Sequence, residues 1–162
     1  MTFLPKDYEP KATQSNYFRF EDGENSFRIL SSAITGFEYF NKENKPVRSK
    51  EEFEEAPTDI KQDGKIKEFW AFVIWNYKLE KIQIMEITQK TIMSAILVLI
   101  DNPKWGDIKS FDLTIIKKGK NMETEYQVIP NPKSDIQDIA KAQYENSNIN
   151  LESMYVGGNP FE

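Results

Sequence analysis

Lys65 to Lys78, KIKEFWAFVIWNYK, is the stretch that most restricts how this chain can fold. Aromatic and β-branched residues crowd it, and such side chains lose rotamer freedom in a helix but pack well on a pleated surface. Lys81-Ile82-Gln83-Ile84-Met85-Glu86-Ile87 follows after Leu79-Glu80. The two runs predict an antiparallel hairpin with a two-residue turn, although that turn lacks the Gly or Asn such turns favour. In that register Lys78 pairs with Lys81, Asn76 with Gln83, Ile74 with Met85 and Phe72 with Ile87, all on one face. The other face carries Phe69, Val73, Trp75, Tyr77, Ile82 and Ile84. It is the more continuously apolar, so it is assigned to the core. A one-residue slip would exchange the two sets.

The remaining elements arrange themselves around this hairpin. Tyr17 to Phe20 alternates, and Glu21-Asp22-Gly23-Glu24-Asn25 reads as a turn. Ser26-Phe27-Arg28-Ile29-Leu30 opens a strand that Ile34 to Phe40 continues past a bend expected at Gly36. Residues 41–64 form a long, charge-dense connection, in which Glu51-Glu52-Phe53-Glu54-Glu55 reads as a solvated loop or short helix. Thr88 is placed to cap a helix from Gln89 to Ile100. Phe111 to Ile116 alternates, as does Tyr126-Gln127-Val128. Between them Lys117-Lys118-Gly119-Lys120-Asn121 is a glycine turn with three positive charges. A further helix is expected over 134–144. Residues 1–16 read as an extended arm and 146–162 as a loose, mildly acidic tail.

Five strands with one helix between the third and fourth is the order of an OB-fold, a five-stranded Greek-key barrel. The expectation is therefore a mainly β protein, with an OB domain over 17–133 and a C-terminal helix and flexible tail over 134–162.

Composition narrows the chemistry. The 162 residues include no Cys and no His, which removes thiol and His-activated nucleophiles and leaves zinc poorly served. Asp107 and Asp112 have no acid placed beside them in sequence to form a metal-binding pair, so a nuclease is disfavoured. Met1 to Asp7 has no apolar core of a signal peptide, and the longest apolar run, Ile92 to Ile100, is far too short to span a bilayer. A soluble cytoplasmic protein, not an enzyme, is expected. Charge is unevenly placed within the total of −5: Lys65 to Lys120 holds ten Lys against six acids, whereas 134–162 holds one Lys against five. A basic middle between acidic ends makes net charge a poor guide to partners.

Single-stranded nucleic acid offers π-faces that stack on aromatic rings and phosphates that cations neutralise. The face carrying Trp70, Phe72, Asn76, Lys78, Lys81, Gln83 and Met85 mixes rings with polar and basic groups in that way. Lys117, Lys118 and Lys120 would rim it, and Arg28, pointing away from Phe27 and Ile29, would join the groove. Two alternatives stand: burial of both faces would make Trp70 and Phe72 core, and a register slip would make Trp75 and Tyr77 the stacking rings.

Three stretches, YFRFEDGENSFRIL (17–30), KEFWAFVIWNYKLEKIQIMEITQKTI (67–92) and FDLTIIKKGKNMETEYQVIPNP (111–132), together resemble the single-stranded-DNA-binding proteins of tailed phages and prophages. The resemblance implies an OB-fold protein that coats single-stranded DNA in replication, recombination or repair, with little sequence preference and no cofactor. It also implies an acidic tail that recruits replication or recombination proteins. Here the tail ends Gly157-Gly158-Asn159-Pro160-Phe161-Glu162, with a Phe close to the end but no preceding Asp run. The competing expectation is an OB module for protein contacts, since a fold does not determine a function.

Overall fold

The computed structural model describes residue 3 and residues 15–162; the expected arm over 1–16 lies otherwise outside the described residues. Among the described residues seven strands form one open antiparallel sheet. They are β1 (Gly23–Ile29), β2 (Ile34–Phe40), β3 (Pro46–Ser49), β4 (Lys67–Asn76), β5 (Lys81–Ile87), β6 (Phe111–Lys118) and β7 (Glu125–Lys133). Helix α1 (Lys90–Asp101) lies between β5 and β6, and α2 (Asp138–Glu145) follows β7.

The aromatic strand β4 is the axis of the sheet. One edge pairs with β5 (Trp70↔Ile87 to Asn76↔Lys81), and the other is shared by β2 (Ile34↔Ala71 to Glu38↔Lys67) and β1 (Phe27↔Asn76 to Ile29↔Ile74). β1 and β2 are thus two halves of one run, broken at 30–33 rather than at Gly36. Across the break Leu30 N donates to Val73 O at 2.9 Å, and Ser31 Oγ accepts from Val73 N at 2.8 Å. Gly36 is needed for a different reason: a Cβ there would collide with the Ser49 carbonyl of the neighbouring β3. β1 continues past β4 to pair with β6, and β6 pairs with β7.

Strand β3 lies within the stretch read as a featureless connection. Asn41 makes the β2–β3 turn, its Oδ1 accepting from the backbone N of both Glu43 and Lys45 at 3.0 Å. Such a side-chain bond supplies the turn the chain needs without glycine. The β4–β5 turn also differs from expectation. It spans four residues, with Glu80 at φ 50° and Asn76 Oδ1 accepting from Lys78 N and Leu79 N. Lacking Gly or Asn at the tip, the chain takes a longer turn, so Asn76 faces Lys81 and Phe72 faces Met85. A two-residue shift changes partners but leaves every side chain on its face.

The main core lies between β1, β4, β5, β6 and α1: Phe27, Phe72, Ile74, Met85, Leu113 and Ile115 meet Ile92, Met93, Ile96 and Leu99. The opposite face of β4–β5 is buried too. Residues 134–162 run across it, with Ala140 against Val73, Trp75 and Ile82, and Met154 against Phe69, Ala71 and Ile84. The segment expected to be loose is therefore packed, and Asn150 N donates to Pro160 O at 2.7 Å to hold its end.

β5 and β7 do not pair among the described residues, so no barrel closes. Beside β5, residues 16–18 run parallel to it: Ile84 N donates to Asn16 O and Phe18 N to Ile84 O. The rings of Phe18 and Phe20 then reach Phe27 and Tyr126, capping the core where the sheet stays open.

Candidate nucleic-acid interface

The face expected to meet ligand lies largely inside the protein. Phe72 and Met85 are buried in the main core, and Trp70 is half-buried against it. Asn76 and Gln83 are buried and bonded to each other at 2.9 Å, and Gln83 also donates to Ser15 O. The assignment of the two faces is thus corrected. Both carry apolar residues, one facing α1 and the other the C-terminal segment, so neither stays wet. Trp75 and Tyr77 do not replace Trp70 and Phe72 as stacking rings: Trp75 is wholly buried, and the Tyr77 hydroxyl donates to Asp112.

Arg28 is corrected as well. Its side chain is buried. Nε donates to Asp112 at 2.7 Å, Nη2 to Ser134 O and Oγ at 2.9 and 2.8 Å, and Nη1 to Lys109 O at 3.3 Å. It clamps β1, β6 and the start of the C-terminal segment together and presents nothing to a groove. Among the expected cations, Lys78 is exposed and paired with Glu21, and Lys81 Nζ reaches Ser15 O. Lys118 and Lys120 stand exposed at the β6–β7 turn, with Lys117 half-buried below them. Gly119, at φ 85°, makes that turn possible, since a Cβ there would strike the Glu123 carbonyl. Lys118 faces Glu125 across the hairpin, which reduces the local positive charge.

A different surface has the mixture of rings and cations that stacking and phosphate contact require. It lies where β2 ends and β4 begins, at the far end of β4 from the β6–β7 turn. Glu38 sits at its floor with Arg48 and Lys67 as cross-strand neighbours and Glu86 beyond on β5. Two adjoining hollows share Glu38, Phe40 and Thr88. Tyr17, Arg19, Lys45 and Gly157-Gly158 border one, and Lys61, Lys65 and Lys67 border the other. Tyr17 and Phe40 are 36% and 43% exposed, enough ring surface to stack on. Among the described residues Lys65 and Lys67 have no acidic partner within 4.0 Å, and Lys45 reaches only Glu43, at 3.8 Å.

The floor is an ionic cluster. Arg48 Nε lies 3.2 Å from Glu38 and 3.4 Å from Glu86, and its Nη2 lies 2.9 Å from Glu86. The guanidinium also sits 5.8 Å over the Phe69 ring. Glu38 is pushed up to about 8, first by burial and then by its hydrogen bond to Glu86 and the charge there, against the pull of Arg48. Burial likewise raises the Tyr17 hydroxyl above its ordinary range.

The sequence signal for this surface was present but scattered. Alternation in Phe37 to Phe40, an Asn-rich turn and Val47-Arg48-Ser49 together spell a hairpin. What no local pattern shows is that Glu86, some forty residues on, closes the same cluster.

Among the described residues no group of three or more His, Cys, Asp or Glu is placed to hold a metal ion, and no helix is long and apolar enough to cross a membrane. Comparison with family models, curated proteins and solved structures finds no match to this chain.

Proposed function

We propose that this protein binds single-stranded DNA without sequence preference, as a phage or prophage protein acting in replication, recombination or repair in the host cytoplasm, and that it catalyses nothing. The observation that carries the reading is the cleft at the end of β2. Exposed Tyr17 and Phe40 lie there among Arg19, Lys45, Lys61, Lys65 and Lys67. Rings for bases and cations for phosphates are the two elements that sequence-tolerant strand binding uses. The strand connections support it: a bent first strand (β1–β2), then β4, β5, a helix, β6 and β7 follow the order of an OB-fold whose last pairing is left open. In such folds ligands meet the outer face of the second and third strands. Here residues 134–162 cover most of that face and leave the cleft at its end.

Titration of a labelled oligothymidine, read by fluorescence anisotropy, tests the proposal. Binding is expected at low ionic strength and falls steeply with added salt; no salt-sensitive binding would reject it. Tryptophan emission is a poor reporter, because Trp75 is buried and Trp70 and Trp105 are half-buried against the core.

A second reading, a module for protein contacts, is favoured by Leu97, Val98 and Ile100, which stand exposed along α1. Recruitment of replication or recombination proteins through the tail tip would require undocking, since Pro160 is buried and Phe161 packs edge-on against Tyr17 at 5.7 Å.

A further inference from the structure

We infer that entry of single-stranded DNA into the cleft is coupled to uptake of a proton by the Glu38–Glu86 carboxyl pair, which thereby sets the pH range in which the cleft holds a phosphate chain. The inference rests on the nucleic-acid reading above and deepens it. Its basis is stoichiometric: two carboxyl groups share one guanidinium, at 3.2 Å for Glu38 and 2.9 Å for Glu86. With both ionised the cluster carries an excess negative charge. The Glu38 and Glu86 side chains are 6% and 21% exposed, so water does little to disperse it. That charge lies directly under the groove that would take the phosphates.

Most elements packed around Glu38 contribute a charged or titratable group; the C-terminal segment brings only Gly157-Gly158. β3 supplies Arg48, β4 Lys67 and β5 Glu86; the 15–19 segment supplies Tyr17 and Arg19, the β2–β3 turn Lys45, and the 61–65 loop Lys61, Asp63 and Lys65. Burial, with the Glu86 carboxyl beside it, pushes Glu38 up to about 8. An arriving phosphate chain adds negative potential over the pair and further favours the protonated form. Linkage is reciprocal, so a ligand that raises proton affinity is itself bound more tightly when the proton is present. The sign follows: binding is strongest below the Glu38 transition and weakens as pH rises through it.

The test is a titration of the full chain with a labelled deoxyadenosine oligomer at low salt, from about pH 6.5 to about pH 9, where adenine does not titrate. Wild-type affinity is expected to fall about tenfold between about pH 7 and about pH 9, the limit set by one proton with a transition near pH 8. Calorimetry in two buffers of different ionisation heat should show net proton uptake near that transition. Glu38→Gln should bind with little pH dependence, because the shared proton site is gone. Glu86→Gln leaves one carboxylate to one guanidinium and should also flatten the profile, which covers the case in which the first variant does not fold. A wild-type affinity that is flat with pH, or variants that keep the wild-type fall, would overturn the inference while leaving DNA binding intact. Absence of binding at about pH 7 and low salt would instead reject the nucleic-acid reading, and this inference with it.

Discussion

Arg28 shows how little one residue's identity settles. Between Phe27 and Ile29, an arginine in an alternating strand is expected on the wet side. In β1 that side faces Asp112 on β6 and Ser134 at the root of the C-terminal segment, and the guanidinium is 2% exposed with four bonds. Removing one partner of such a pair strands the other, at a cost of about 3 kcal/mol or more. Arg28→Ala is expected to lower unfolding free energy by about 3 kcal/mol in urea denaturation. At a salt concentration where the variant is still folded, oligothymidine affinity should stay within about twofold of wild type, because Arg28 touches no groove. A large loss of affinity with unchanged stability would return Arg28 to the binding surface.

At the scale of elements, the β4–β5 hairpin was legible in part. Alternation correctly sorted Phe72, Ile74 and Met85 from Val73, Trp75 and Ile84, and the four-residue turn preserved that sorting. It did not tell which set would be inside, because the answer depends on α1 on one side and on Ala140, Leu151 and Met154 on the other. Trp75 offers a direct check on that cover. It is 0% exposed, and its Nε1 has no hydrogen-bond partner among the described residues. Trp75→Ala should cost about 3–5 kcal/mol through the cavity it leaves. Trp75→Phe should cost much less, about 1 kcal/mol, because removing an unsatisfied buried N–H offsets part of the missing packing. Equal costs in thermal unfolding would mean that the C-terminal segment does not seal this face.

For the whole molecule, an acidic total of −5 is compatible with phosphate binding because cations are gathered locally. Two gatherings compete: the β6–β7 turn with Lys117, Lys118 and Lys120, and the cleft with Lys45, Lys65 and Lys67. They lie at opposite ends of β4. For a single strand, each phosphate that a side chain no longer neutralises should flatten the slope of log affinity against log salt by about 0.7. Reversing Lys45, Lys65 and Lys67 of the cleft to Glu is expected to lower affinity at least about tenfold and flatten the slope by about 2, with the turn variant affected less. The opposite ranking in the anisotropy titration would move the phosphate path to the turn.

The residues alone determined the strands β4 to β7 and their order, the helix between β5 and β6, the turn at Gly119 and the partition of each strand into two faces, whereas β1 and β2 read as one strand starting at Ser26. These follow from local sterics and from a side-chain period of two, which act within a few residues. The short strand β3 was missed as well: its four residues sit in a charge-dense stretch, and only the Phe37–Phe40 alternation and the Asn turn before it signal the hairpin. Tertiary structure decided which face became core, that Arg28 is a clamp, that 134–162 is packed cover, and that Glu38, Arg48 and Glu86 share one site. Those outcomes depend on what a face meets, and the segments that meet here lie far apart along the chain. Burial and electrostatics are properties of that encounter, so no window of sequence contains them.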